Sequence, residues 1–189
     1  MLEISTRQLP MIKPSILAKA INKLEDVRFL NSEMTEVQAQ AIFATMGDDT
    51  KLKRYQIIRQ NLSMIQPAVF GKGLSKLEEA SLRNCNVTRE QVIALFLAIS
   101  KGGQLKKLDL SFNNLSSVEP FFLARGVNML QEVDLTRSSL TSDQIHTIFR
   151  VFLEEETRIE KLSMELSDLF KANPELVRQV TEKFATEKF

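Results

Sequence analysis

A single cysteine, Cys85, rules out an internal disulfide and with it the disulfide scaffold of a small secreted domain. One histidine, His146, and that cysteine are too few for the three or four ligands of a zinc site. Acidic clusters with calcium-loop spacing are absent. "FGKGLSK" at 70–76 lacks the spacing of a phosphate loop. No cofactor and no metal are therefore expected. Charge of one sign is missing too: Lys plus Arg number 25, Asp plus Glu 24, and the net charge is +1. That balance gives no general pull toward nucleic acid or an anionic membrane, and the basic residues are interleaved with acidic ones rather than gathered in a stripe. No apolar run approaches the roughly 20 residues of a membrane span. The start, "MLEISTRQLP", lacks the basic and apolar regions of a signal peptide. The expectation is a protein of a reducing compartment, most simply the cytosol, with no membrane or nucleic-acid partner.

What is present is a repeat. Apolar residues make up 43% of the 189, enough to bury a sizeable core. In "LKKLDLSFNNL" the apolar residues Leu105, Leu108, Leu110 and Leu115 follow neither a helical stripe nor a plain alternation. The same spacing returns in repeats starting at 24, 52, 77, 105, 130 and 159, and a truncated copy opens the chain at Leu2, Ile4 and Leu9. Successive copies are 28, 25, 28, 25 and 29 residues apart, so the true unit is a pair of unlike repeats with a period of 53. Pro14, Pro67, Pro120 and Pro174 keep that period to within one residue, each opening a helix whose first turn has no use for the missing N–H. The alternate repeats start their helices with Thr35-x-x-Gln38, Thr88-x-x-Gln91 and Thr141-x-x-Gln144, each a capping box. Phe43, Phe96 and Phe149 follow in register and should share one core.

Each unit reads as a short strand, a turn, a helix and a return loop. One unit cannot bury both apolar faces, but stacked neighbours can. The pattern L-x-x-L-x-L-x-x-N/C-x-L, best matched by "LEEASLRNCNV" and "LKKLDLSFNNL", resembles the leucine-rich repeats of the ribonuclease-inhibitor type. The resemblance implies an α/β, right-handed solenoid or horseshoe, with a parallel sheet on the concave face and helices on the convex face. It implies a single repeat domain over 1–189: a partial first repeat at 1–23, the six repeats above, and a C-terminal helix at about 174–185. It also implies a binding role; some proteins resembling this one regulate small GTPases or cap actin filaments. The Asn/Cys position departs from the pattern, holding Asn113 and Cys85 but also Ser32, Gln60, Ser138 and Ser167, where the side-chain ladder between turns should weaken.

No catalytic residues are expected. His146 lies on a helix with no nucleophile or orienting partner in view, and Cys85 falls at a buried turn position. Gly73 and Gly126 occupy the slot of Ala20, so close packing explains them. Glu154–Glu156 reads as a solvated helix end.

Strand positions three, five, seven and eight of each repeat should face the hollow. Position three runs Asp26, Arg54, Glu79, Lys107, Glu132, Lys161, a sign change at every rung and a self-neutralising ladder. Position eight runs Asn31, Arg59, Asn84, Phe112, Arg137, Leu166, and position seven adds Arg83. Phenylalanine flanked by arginines on a rigid sheet has the composition of a protein-binding hot spot. The candidate partner-binding residues are Arg59, Arg83, Asn84, Phe112 and Arg137, with Asp109 and Asp134 at position five. The expected function is a non-enzymatic module binding a folded protein on its concave sheet. The alternatives are a structural segment that self-associates or stacks within a longer array, and a regulator of a small GTPase or of actin. Weak homo-oligomerisation through open ends is expected: the first strand starts at Met1 without a cap, and Glu187 stands where a core residue belongs. The competing reading makes Leu176, Val177, Val180 and Phe184 one amphipathic helix that closes the C-terminal end.

Overall fold

A computed structural model describes residues 2–4, 9–30, 34–47, 50–169 and 171–186. Seven strands lie in one parallel sheet in chain order. They are β1 (Leu2–Ile4), β2 (Asp26–Leu30), β3 (Arg54–Ile58), β4 (Glu79–Arg83), β5 (Lys107–Asp109), β6 (Glu132–Asp134) and β7 (Lys161–Ser163). Parallel neighbours need a crossover, and helices supply it: α1 (Pro14–Ile21), α2 (Glu36–Thr45), α3 (Pro67–Ser75), α4 (Arg89–Ser100), α5 (Pro120–Asn128) and α6 (Ser142–Glu154). The chain closes with a single turn, α7 (Leu166–Leu169), and α8 (Pro174–Thr186). Strands sit about 4.8 Å apart and packed helices about 8–10 Å apart, so the stack bends with the sheet on the inside.

The alternation inside each strand builds the core. Val27 and Phe29, Tyr55 and Ile57, Ala80 and Leu82, and Leu108 and Leu110 all point inward and are buried. Phe43, Phe96 and Phe149 belong to the same continuous core. Phe43 stacks on Phe70 with ring centres 5.5 Å apart and meets Tyr55 edge-on at 5.7 Å. The segment 70–75 is helix rather than phosphate loop, with Lys76 as its C-cap, and its glycines are there for contact. A Cβ on Gly73 would lie 3.0 Å from the Phe43 carbonyl oxygen, and one on Gly126 would overlap the Phe96 ring.

Both arms of all three capping boxes form. The same glutamines do a second job that the sequence does not announce. The buried Nε2 of Gln91 donates to the carbonyls of Leu62 (2.7 Å) and Ile65 (2.8 Å) in the repeat before it. Gln38 does so to Leu9 and Ile12, and Gln144 to Leu115 and Val118. Each glutamine thus starts its own helix and ties down the preceding turn.

The Asn/Cys column forms a graded ladder. The Asn113 side chain accepts from the N–H groups of Cys85 and Val87 and donates to Leu82, Leu110 and Ser111. Cys85, Gln60 and Ser138 each still reach back one rung, to Ile57, Met34 and Leu110. Ser167 turns to Glu165 instead, and Ser32 lies outside the described residues. At the C-terminal end the tail is helix through 186: Val180 is buried, and Phe184 packs edge-on against Phe152 at 5.8 Å. Glu187 and Met1 lie outside the described residues. His146 accepts a hydrogen bond through Nε2 from the Asn173 N–H (3.0 Å), joining α6 to the start of α8.

Candidate functional site

The inner face is built from two columns of strand residues and a rim just beyond the strand ends. The position-three column is in register across β2 to β7. Arg54 Nε bonds Asp26 at 3.0 Å, and Lys107 Nζ bonds Glu132 at 2.8 Å and lies 3.8 Å from Glu79. The hydrogen bonds to Asp26 and Glu132 push both cations' pKa values upward. These charges satisfy one another, so the column is chiefly a self-neutralising floor. Beside it runs a shallow hollow of about 320 Å³, lined among others by Arg28, Gln56, Ser81, Asp109 and Asp134.

Asp109 and Asp134 lie opposite each other on β5 and β6. Each turns one oxygen to its own chain: Asp109 accepts from the Ser111 N–H and Asp134 from the Thr136 N–H, both at 2.8 Å. These side-chain turns end the two strands early. The second oxygen of Asp109 accepts from the Ser81 hydroxyl at 2.8 Å. Both carboxylates therefore hold local structure in addition to lining the hollow.

Position eight does not continue the strand. Arg59, Asn84, Phe112 and Arg137 all have positive φ, between 54° and 60°. This left-handed turn lifts them onto the rim, while the peptide ladder carries on beneath: Arg59 N–H bonds the Arg83 carbonyl, Asn84 N–H that of Ser111, and Phe112 N–H that of Thr136. Position seven is mixed. Arg83 is exposed, but Ser111 is buried and so does not face the hollow. Asn31 lies outside the described residues, and Leu166 is exposed at the start of α7.

Asparagine tolerates the left-handed region, but a bulky residue there costs roughly 1–2 kcal/mol. Phe112 is the residue least suited to it. Its ring is half-buried between two guanidinium groups, with Arg83 Cζ 4.4 Å and Arg137 Cζ 5.2 Å from the ring centre. Arg83, Phe112 and Arg137 thus form one cluster. Arg59 is one rung away on the same rim. Asn84 shares the backbone turn, and Asp109 and Asp134 lie on the floor below. Glu165 was not singled out by sequence: its Oε1 accepts from Arg137 Nε at 2.8 Å. Its place at position seven of the next rung was the available signal.

Residues 104–125 match the family model described as Leucine Rich Repeat. The fold is that of an α/β leucine-rich-repeat solenoid. Leucine-rich repeats generally mediate protein–protein contacts and are typically non-enzymatic. No curated protein matches the chain in sequence. Among the described residues, no His, Cys, Asp and Glu side chains group as a metal site, and no helix is long and apolar enough to cross a membrane.

Proposed function

We propose that the protein is a non-enzymatic binding module of the ribonuclease-inhibitor-like type, acting in the cytoplasm, that takes a folded protein partner on its inner face. The rim residues Arg59, Arg83, Asn84, Phe112 and Arg137 would make the primary contact, and Asp109 and Asp134 would border it from the floor. The observation that carries this reading is Phe112. A large aromatic side chain is held at a backbone conformation that disfavours it, half exposed, between two arginines. Strained residues of this kind persist where function needs them, and rigid aromatic and arginine side chains lose little freedom on binding.

The test compares three variants in partner capture and urea unfolding. Phe112→Asn relieves the left-handed strain and removes the ring contacts, so stability should stay within about 1 kcal/mol of wild type. Its partner should bind weaker by about 2 kcal/mol or more. Gln56→Trp, which fills the hollow, should also lose the partner. Val37→Trp on the exposed outer side of α2 should keep it. Equal capture by all three would mean that the inner face is not the binding face.

A second reading, self-association, is favoured at one end only. Met11, just before α1, is 86% exposed and Ile16, on α1, is 57% exposed, whereas α8 packs over α6 at the other end. Sedimentation should then show concentration-dependent association that Met11→Asp removes.

A further inference from the structure

The cations of the inner face differ in how they are compensated. On the floor, Arg54 and Lys107 are paired with carboxylates. On the rim, Arg137 is paired through Nε with Glu165. Among the described residues no carboxylate pairs with Arg59 or Arg83. These two arginines occupy neighbouring rungs, linked by the bond from the Arg59 N–H to the Arg83 carbonyl. Two like charges with no carboxylate partner among the described residues thus stand on neighbouring rungs. The Arg83 guanidinium also lies over the Phe112 ring. A contact through the ring leaves a guanidinium's N–H groups available to grip a carboxylate, with two parallel bonds where the geometry allows.

We propose that the rim seats an acidic segment of the protein partner, with Arg83 and Arg59 taking its carboxylates and Phe112 covered by a neighbouring side chain. This rests on the inner-face reading above and names the partner's chemistry. Complementarity works by exclusion as well as by attraction. Just below the rim, Asp109 and Asp134 stand opposite each other on adjacent strands, so an acidic side chain is drawn to the rim and repelled from the floor. The dimensions fit. From Arg59 to Arg137 the rim covers three strand spacings, about 14 Å. An extended peptide repeats its side chains on one face about every 7 Å, so acidic residues at alternate positions reach both ends of the cluster. Arg83 is already held against the Phe112 ring, which lowers the ordering cost of its contact.

The experiment uses the full chain and a short fluorescein-labelled peptide of alternating Glu and Thr, read by anisotropy. The comparison peptides carry Gln, Lys or phosphoserine in place of Glu. The Glu peptide should bind, and its affinity should fall about tenfold in Arg83→Gln. Binding should weaken when ionic strength is raised from about 0.05 M to about 0.5 M. The Gln and Lys peptides should not bind. Arg83 is exposed, so an unchanged urea midpoint will show that the variant is folded. Binding of the Gln peptide as tight as that of the Glu peptide overturns the proposal, as does binding of the phosphoserine peptide alone. No binding of the Glu peptide up to about millimolar concentration, or full binding by Arg83→Gln, overturns it as well. The two readings separate in partner capture. Loss of the partner in Gln56→Trp with retention in Arg83→Gln leaves the inner face standing and removes the acidic seat. Retention in both removes the inner-face reading itself.

Discussion

At the scale of single residues, the Tyr55 hydroxyl is one of three buried side-chain polar atoms without a partner among the described residues, with those of Ser111 and Asn128. Tyr55 stands where other strands place Val27 or Leu108, and its buried hydroxyl makes no hydrogen bond among the described residues. Burying an unpaired hydroxyl costs roughly 1–3 kcal/mol. Tyr55→Phe should therefore leave stability unchanged or raise it by up to about 1 kcal/mol in urea unfolding. A clear loss would show that the hydroxyl is bonded. Cys85 differs in being satisfied, its thiol donating to the Ile57 carbonyl at 3.4 Å. Burial pushes its pKa from 9.0 up to about 11. The folded state keeps the proton where the unfolded state has lost it, so this group's contribution to stability is intact below pH 9.0 and disappears as pH rises toward about 11. Urea midpoints across that range should fall. At pH 8 the folded protein should leave a thiol reagent unreacted until it is unfolded.

At the scale of elements, the glutamine column links local and long-range order. The sequence pattern Thr-x-x-Gln accounts for the helix start, because the carbonyl end of the amide serves the cap. The amino end serves the turn of the preceding repeat, which no local pattern requires. The two functions can be separated at Gln91. Gln91→Glu keeps an acceptor for the Thr88 N–H and removes both donors to Leu62 and Ile65. Gln91→Leu removes everything. Since the Ile65 carbonyl then has no donor in a dry core, both variants should lose about 2–3 kcal/mol in urea unfolding. Wild-type stability in Gln91→Glu would mean that the capping arm alone matters.

At the scale of the whole molecule, each rung touches only its neighbours, so the ends can loosen without the middle. The C-terminal end is covered by α8, held by Phe184 against Phe152 and by the Lys183 amine donating to the Phe152 and Glu155 carbonyls. Phe184→Asp should raise amide exchange throughout 174–186 and leave β3 to β5 protected. A uniform loss of protection would show that the solenoid unfolds as one unit and that α8 is more than an end cover.

The sequence by itself determined the repeat, and with it most of the fold. Leucine spacing, prolines at helix starts, capping boxes and the phenylalanine column act within a turn or between identical neighbours, so a period of 53 residues makes them readable. It also placed Arg83, Phe112 and Arg137 on successive rungs. Tertiary structure alone decided how those residues are presented. The left-handed turn at position eight is set by the peptide ladder continuing under the rim, not by the identity of Phe112, which disfavours it. Asp109 and Asp134 were legible as floor residues, but their bonds to the Ser111 and Thr136 N–H groups arise only when the strand stops. Which rim arginines remain uncompensated depends on the reach of Glu165 from the next rung. Such contacts join residues about 28 positions apart through side-chain rotamers, and rotamers are chosen by packing rather than by sequence spacing.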